Sequence, residues 1–357
     1  MDLDKLLIEL CKTAGAPGYE AERSLVVRKL FAEFCDDVSI DKLGNVIGLR
    51  RGTGHGKIML SAHIDVIALM VSGIFDNGFL GFTPMGFFDG RTLCFQEVTV
   101  HGSEKLLGVI GAPPIQLVSE GLLREDEPEY MTRALKLEDM FVDVGLTAEE
   151  AREKVRIGDI ITINSNYSKL INGRLACKAL DDSAGIACII SALQNLKGIN
   201  LEADLYVVAS VQEEVGARGA QTAAYGIQPD IAIAVDVGFA RATGTRDEEA
   251  SDMGKGPDIS SGPNISRRVY EQLRETAVRN DLHAQYSVIP GGCSGTDAYT
   301  MQIAGAGFAT GVVSIPIKYL HSSVEMAALS DIADIGMLLA RFAESFNGAD
   351  MEKSLCL

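Results

Sequence analysis

Apolar residues at Leu3, Leu6, Leu7, Leu10 and Cys11 recur at helical spacing, with Asp2 placed to cap the first turn. A second helix is expected over Glu20 to Phe34. Val38 to Leu49 then reads as a hairpin around Leu43-Gly44-Asn45, and Lys57 to Ala62 reads as a buried strand ending at His63. From about Val71 to Ile163 the texture changes to short β-like runs, frequent glycines, Pro113-Pro114 and one helical stretch around Thr147 to Lys154. After Asn164 apolar strands alternate with helices again, expected at 183–196, 266–281, 295–304 and 329–346. That alternation predicts a mostly parallel mixed sheet flanked by helices on both faces. The expected layout is an α/β domain over 1–71 and 164–357, interrupted by an inserted β-rich domain over 72–163.

The places where strands end carry more information than the strands. Ile58 to Ala62 leads into His63, Leu205 to Val211 into Glu213-Glu214, Ile231 to Val235 into Asp236, and Thr310 to Ile315 into a loop bearing His321. In open α/β sheets, ligands collect outside the carboxyl ends of the strands. Four strands thus deliver polar, metal-capable side chains to one edge.

Composition narrows the partners. The chain has 357 residues with 47% hydrophobic content, enough for a large core and for more than one domain. Its 32 basic residues against 49 acidic ones give a net charge of −17. Such a field repels nucleic acid and anionic membranes and attracts cations. No stretch has the length of a membrane span or the form of a signal peptide, which points to the cytoplasm. The seven cysteines, Cys11, Cys35, Cys94, Cys177, Cys188, Cys293 and Cys356, lack paired ligand spacing and read as buried thiols of a reducing compartment.

Each candidate motif has a plain reading beside the functional one. His63-Ile64-Asp65 allows a carboxylate to accept the second imidazole proton and fix the ring for metal binding; a core histidine beside a turn aspartate fits as well. Asp181-Asp182-Ser183 opens a helix, where Asp182 or Ser183 suffices as a cap, leaving Asp181 available to bridge two cations. Glu213 and Glu214 end an apolar strand, where adjacent acids are costly unless exposed or paired, and alternation lets one face a metal while the other carries a proton. Asp236 and His321 are ordinary singly. Together, two histidines and three carboxylates form a donor set suited to zinc, cobalt or manganese.

The chain resembles the M42 family of metallo-aminopeptidases, the tetrahedral, deblocking and glutamyl aminopeptidase group. The resemblance runs nearly end to end through SAHID, FVDVG, RIGD, KALDDSAG, VQEEVGARGA, AVDVG, GTDA and GVVSIPIKYLHSSVEM, in that order. It implies that His63, Asp181 and Asp236 hold one divalent ion, and that Asp181, Glu214 and His321 hold a second. Zinc is the first expectation, with cobalt or manganese as alternatives. It implies Glu213 as general base, Asp65 as the acid that steadies His63, and a cis Asp181-Asp182 bond as in related dinuclear peptidases. It also implies peptide substrates cut at the amino terminus by an activated water, and dimers built through the inserted barrel that assemble into a dodecamer.

Departures from the family pattern fall at Val66 in place of glutamate, Ala68 in place of glycine, Lys318 in place of arginine and Ser323 in place of proline. They bear on substrate preference and metal affinity; no ligand or base is lost. Asp297, in GTDA, receives no role from the sequence, and the glycine-rich Thr243–Gly262 stretch is expected from position to line the pocket. Three rivals remain on the sequence: a dinuclear carboxypeptidase or deacylase of the M20 type, a glycoside hydrolase using Glu213 and Glu214, and a silent shell protein. The absence of tryptophan and the divergence of adjacent strand residues weigh against the glycosidase.

Overall fold

A computed structural model describes residues 2–113, 135–289, 291 and 294–347. Cys293 and Cys356, expected as buried thiols, lie outside these residues. The strands are β1 (Asp37–Ile40), β2 (Val46–Arg50), β3 (Lys57–His63), β4 (Ala68–Ile74), β5 (Leu80–Met85), β6 (Glu97–His101), β7 (Lys105–Gly111), β8 (Phe141–Asp143) and β9 (Ile160–Ile163). They continue with β10 (Ser168–Leu170), β11 (Arg174–Cys177), β12 (Asp204–Ser210), β13 (Ile231–Phe239), β14 (Asp258–Ser261), β15 (Gln285–Val288), β16 (Ala309–Ile317) and β17 (Glu325–Ala328). The helices are α1 (Leu3–Lys12), α2 (Ala21–Phe31), α3 (Gly90–Leu93), α4 (Ala148–Lys154), α5 (Leu180–Asn195), α6 (Arg218–Ile227), α7 (Arg267–Arg279), α8 (Ala298–Gln302) and α9 (Leu329–Ser345). By packing, the chain divides into one unit running up to Val66, over Tyr167–Leu320 and from Val324 onward, and a second comprising Ile67–Asn166 with His321–Ser323.

The first unit is built on an eight-stranded sheet ordered β1-β2-β12-β3-β13-β16-β14-β15. Its centre, β12, β3, β13 and β16, is parallel, while β2 and β14 flank it antiparallel. Covered on both faces, these central strands are apolar nearly throughout, and every residue of β16 is buried. Alternation still sorts the side chains. Ile58, Leu60 and Ala62 enter one core with α5, and Met59 enters the other with α6 and α8. By the same count Ser61 and His63 point to the second face, as do Ser210 at the end of β12 and Asp236 in β13. Ser210 pairs with His63 in register, and Asp236 stands level with His63, two residues beyond the Ala234–Ser61 pair.

Local chemistry explains the flanking elements. Asp2 accepts the Asp4 amide and starts α1. In the β1–β2 hairpin, Asp41 Oδ1 accepts the amides of Leu43, Gly44 and Asn45. Buried Asn45 then accepts the Val211 amide and donates to the Gly219 carbonyl, tying the hairpin to the end of β12. Helix α6 escapes sequence reasoning, because RGAQTAAYGI carries two glycines and no capping side chain; Ala217 and Gln228 bound it in left-handed conformations. Of the cysteines, Cys11, Cys177 and Cys188 are buried as expected, but Cys35 and Cys94 are half-buried, because each stands at the edge of its core.

The second unit contains a closed barrel ordered β4-β5-β8-β7-β6-β9, filled by Leu69, Val71, Leu80, Val98, Val100, Ile110, Val142 and Ile161. Closure leaves the sheet without free edges. A Thr147–Glu150 capping box starts α4. No helix among the described residues is long and apolar enough to cross a membrane.

Helices α5 and α9 pack closely at Gly336, where an added methyl would lie 2.3 Å from Ser191 Oγ and 2.4 Å from its Cβ. Gly336→Ala is therefore expected to destabilise the fold by about 1–3 kcal/mol, read as a lower urea midpoint. An unchanged midpoint would mean that the two helices part freely.

Candidate metal centre

His63 closes β3 with its ring buried, and its Nε2 lies 2.9 Å from Asp181 Oδ1 and 3.9 Å from Asp236 Oδ1. Its other nitrogen, Nδ1, faces the main-chain carbonyl of Asp65 at 3.0 Å, with the Asp65 carboxylate at 3.6 Å. The two oxygens of that carboxylate also accept the amides of Glu213 and Glu214, at 2.9 and 3.0 Å. Asp65 thus orients the histidine and the paired glutamates together. The turn it grips begins at Gln212, which adopts the left-handed conformation rarely taken by a side-chain-bearing residue.

Asp181 and Asp182 precede the regular part of α5 and have non-helical backbone angles, and the bond between them is cis. Asp182 Oδ1 accepts the Gly185 amide at 2.8 Å, the geometry of a helix cap, and its Oδ2 accepts the His63 amide at 3.2 Å. Gly185 permits this, since a Cβ there would fall 2.3 Å from the Asp182 carboxylate. With the cap supplied by Asp182, the Asp181 carboxylate is directed at His63. The Asp181 amide is held by Glu325, a buried residue of β17 that sequence reasoning left without a role although it sits in HSSVEM.

Ligand-capable atoms of His63, Asp181 and Glu214 lie within 4.8 Å of one another, and so do those of His63, Asp182 and Asp236. In the second group Asp182 is occupied by two backbone amides, so Asp181 is the better donor toward an ion. His321, in the loop after β16, has a left-handed backbone and lies 6.4 Å from the Phe87 ring by centroids. It is in neither group.

The electrostatics of the pocket are unbalanced. Burial first, then the Asp236, Asp297 and Asp181 charges, push the Glu213 carboxyl up to about 9 against relief from His63. Burial pushes Asp236 up to about 7, with relief from His63 and a further push upward from the Asp181 and Asp297 charges. Burial also raises Glu214 and Asp182, each with neighbouring acids adding to the effect. Burial alone would lower His63, but its hydrogen bonds to Asp181 and Asp65 and the charges of Asp181 and Glu213 more than reverse this. Arg23 of α2, fully buried, donates to Ser183 Oγ at 2.6 Å and sets its charge against Asp65, Asp182 and Asp181. One histidine and one arginine do not balance these acids. Divalent cations would, and the mixed imidazole and carboxylate donors fit them.

A cavity of about 240 Å³ opens beside Glu213 and Glu214, lined by Gly216, Ala217, Ser294, Gly295, Thr296 and Tyr299. No residue of the Thr243–Gly262 stretch lines it. That stretch is anchored elsewhere, with the amides of Gly254 and Gly256 donating to Asp331.

The M42 glutamyl aminopeptidase family matches residues 44–338. The chain is 35% identical over 351 residues to a lysyl aminopeptidase of Pyrococcus furiosus, spanning 97% of this chain and 98% of that one. Its fold superimposes on an aminopeptidase from Desulfurococcus kamchatkensis with a TM-score of 0.89 at 34% identity, covering 99% and 97% of the two chains. It likewise matches the TET1 peptidase of Pyrococcus horikoshii, which can assemble into a tetrahedron or a large octahedral shell, with a TM-score of 0.83 at 31% identity over 97% and 100%.

Acids with raised values give the metal-free protein a definite pH dependence. Asp236 moves from the usual 3.8 to about 7 and Glu213 from 4.5 to about 9, so above pH 4 the unfolded chain ionises first. Stability is then lost as pH rises through the folded values. The melting temperature of chelator-treated protein is expected to fall between about pH 5 and pH 9, and added zinc to restore it most at the alkaline end. A flat or rising profile would contradict the charge imbalance.

Proposed function

The chain belongs to the M42 family of aminopeptidases, and on that premise we propose that it releases amino-terminal residues from peptides with two divalent ions and Glu213 as general base. The observation that carries this reading is the convergence of His63, Asp181, Glu214 and Asp236 in a buried pocket short of positive charge. One ion would be held by His63, Asp181 and Asp236, and the other by Asp181, Glu214 and His321. Zinc suits the donors best, and cobalt or manganese would also bind. When bound, such ions polarise a scissile carbonyl and lower the pKa of water.

The protein's own groups do the rest. Glu213 lines the 240 Å³ cavity, so a peptide seated there would lie beside it. In the ion-free pocket that carboxyl is protonated at neutral pH; compensating positive charge brings it into the range of a base. Glu213 then takes the proton of the attacking water and delivers it to the departing amine. Asp65 keeps Glu213 and Glu214 in place through their amides and His63 through its carbonyl. Glu325 and Asp182 fix the backbones of Asp181 and His63.

We further propose self-assembly through the barrel unit into dimers and then a dodecamer, and residence in the cytoplasm. The assembling P. horikoshii relative supports the first; the free thiols of Cys11, Cys35, Cys94, Cys177 and Cys188 support the second.

Glu213→Gln is expected to retain both ions while losing turnover by roughly 10²- to 10⁴-fold on aminoacyl-anilides. Near-normal turnover would reject Glu213 as the base. Asp181→Ala is expected to empty both ion positions together, since it serves each; elemental analysis finding two equivalents of metal would refute bridging.

A further inference from the structure

Asp297 is the acid of GTDA to which the sequence assigns no role. It stands immediately before α8, yet its carboxylate does not cap that helix. Only 2% exposed, it turns toward the strand ends, where Oδ2 accepts the hydroxyls of Ser61 and Ser210, both at 2.6 Å. Ser61 lies two residues before His63 on the same face of β3. Ser210 is the register partner of His63 across β12. One carboxylate oxygen therefore joins the two strands at the level where the cation ligands begin.

The other oxygen, Oδ1, is buried with no hydrogen-bond partner. Burial raises the Asp297 carboxyl above the usual value, while the hydroxyls of Ser210 and Ser61 and the charge of His63 act the other way, and hydroxyl bonds of 2.6 Å are the length expected to an ionised oxygen. A buried ionised oxygen without a partner is costly unless positive charge stands near it. Asp297 is close enough for its charge to act on His63, Glu213 and Asp236.

We infer that Asp297 is a positioning residue of the cation site: through Ser61 and Ser210 it locks the ends of β3 and β12, and its uncompensated charge strengthens cation binding while lowering the stability of the metal-free protein. This rests on the cation-dependent peptidase reading. The two functions separate by substitution. Asp297→Asn keeps an oxygen for both hydroxyls and removes the charge. Ser210→Ala keeps the charge and removes one hydroxyl bond.

The test is zinc titration of the chelator-treated full-length protein by calorimetry, together with its melting temperature. Asp297→Asn is expected to weaken zinc binding by roughly tenfold or more and to raise the melting temperature of the metal-free protein. Ser210→Ala is expected to lower that melting temperature and to leave zinc affinity within about threefold. A purely structural role would lower stability in Asp297→Asn and leave affinity unchanged, overturning the inference. Should Asp297→Asn fail to fold, Asp297→Ser takes its place: zinc affinity weakened tenfold or more would support the inference, and unchanged affinity would overturn it. Wild-type protein that takes up no zinc would overturn the peptidase reading along with it, whereas wild-type uptake of two ions with equal affinity in Asp297→Asn would sink this inference alone.

Discussion

The chemistry of this molecule depends on keeping a group of acids out of water beside a single buried histidine. Carboxylates in such surroundings repel one another and resist ionisation, so the ion-free pocket is held in place against its own electrostatics. The rest of the fold supplies the restraint. Backbone amides occupy both oxygens of Asp65 and both of Asp182, Arg23 offers a charge from beneath, and Glu325 grips the Asp181 amide. Asp181, Glu214 and Asp236 bring ligand-capable oxygens close to His63, with those of Asp181 and Asp236 lying 2.9 and 3.9 Å from its Nε2.

The parallel sheet makes this arrangement possible with little disturbance to the core. Strands β3 and β12 stop at the His63–Ser210 pair while β13 and β16 run on, and alternation places Ser61, His63, Ser210 and Asp236 on the same side. Polar side chains thus appear where the hydrophobic core stops, at the carboxyl edge, without disrupting the layers beneath. The turns that follow the strands are less relaxed, with Ala179, Gln212 and Ala217 in left-handed conformations around the pocket.

Much of this is legible in the sequence, for a physical reason. Buried parallel strands write themselves as uninterrupted apolar runs, so His63, Asp236 and Glu213-Glu214 stand out where the runs stop. Helices with strong periodicity are also readable: those expected at 266–281 and 329–346 appear as Arg267–Arg279 and Leu329–Ser345. Helix α6 is not, because alanine and glycine give little periodic contrast. The supporting residues are hidden for a different reason. Asp182 reads as a cap, which it is, but its bond to the His63 amide joins positions 119 residues apart. Arg23, Glu325 and Asp297 act through equally distant partners, and nothing in their local sequence marks them as buried.

The central claim is that this acid-rich pocket is a two-cation site. Anomalous diffraction from crystals soaked in zinc tests it most directly. Two peaks sharing Asp181 are expected, one bounded by His63 and Asp236 and the other by Glu214 and His321. A pocket that stays empty in zinc, or peaks that avoid Asp181, would contradict it.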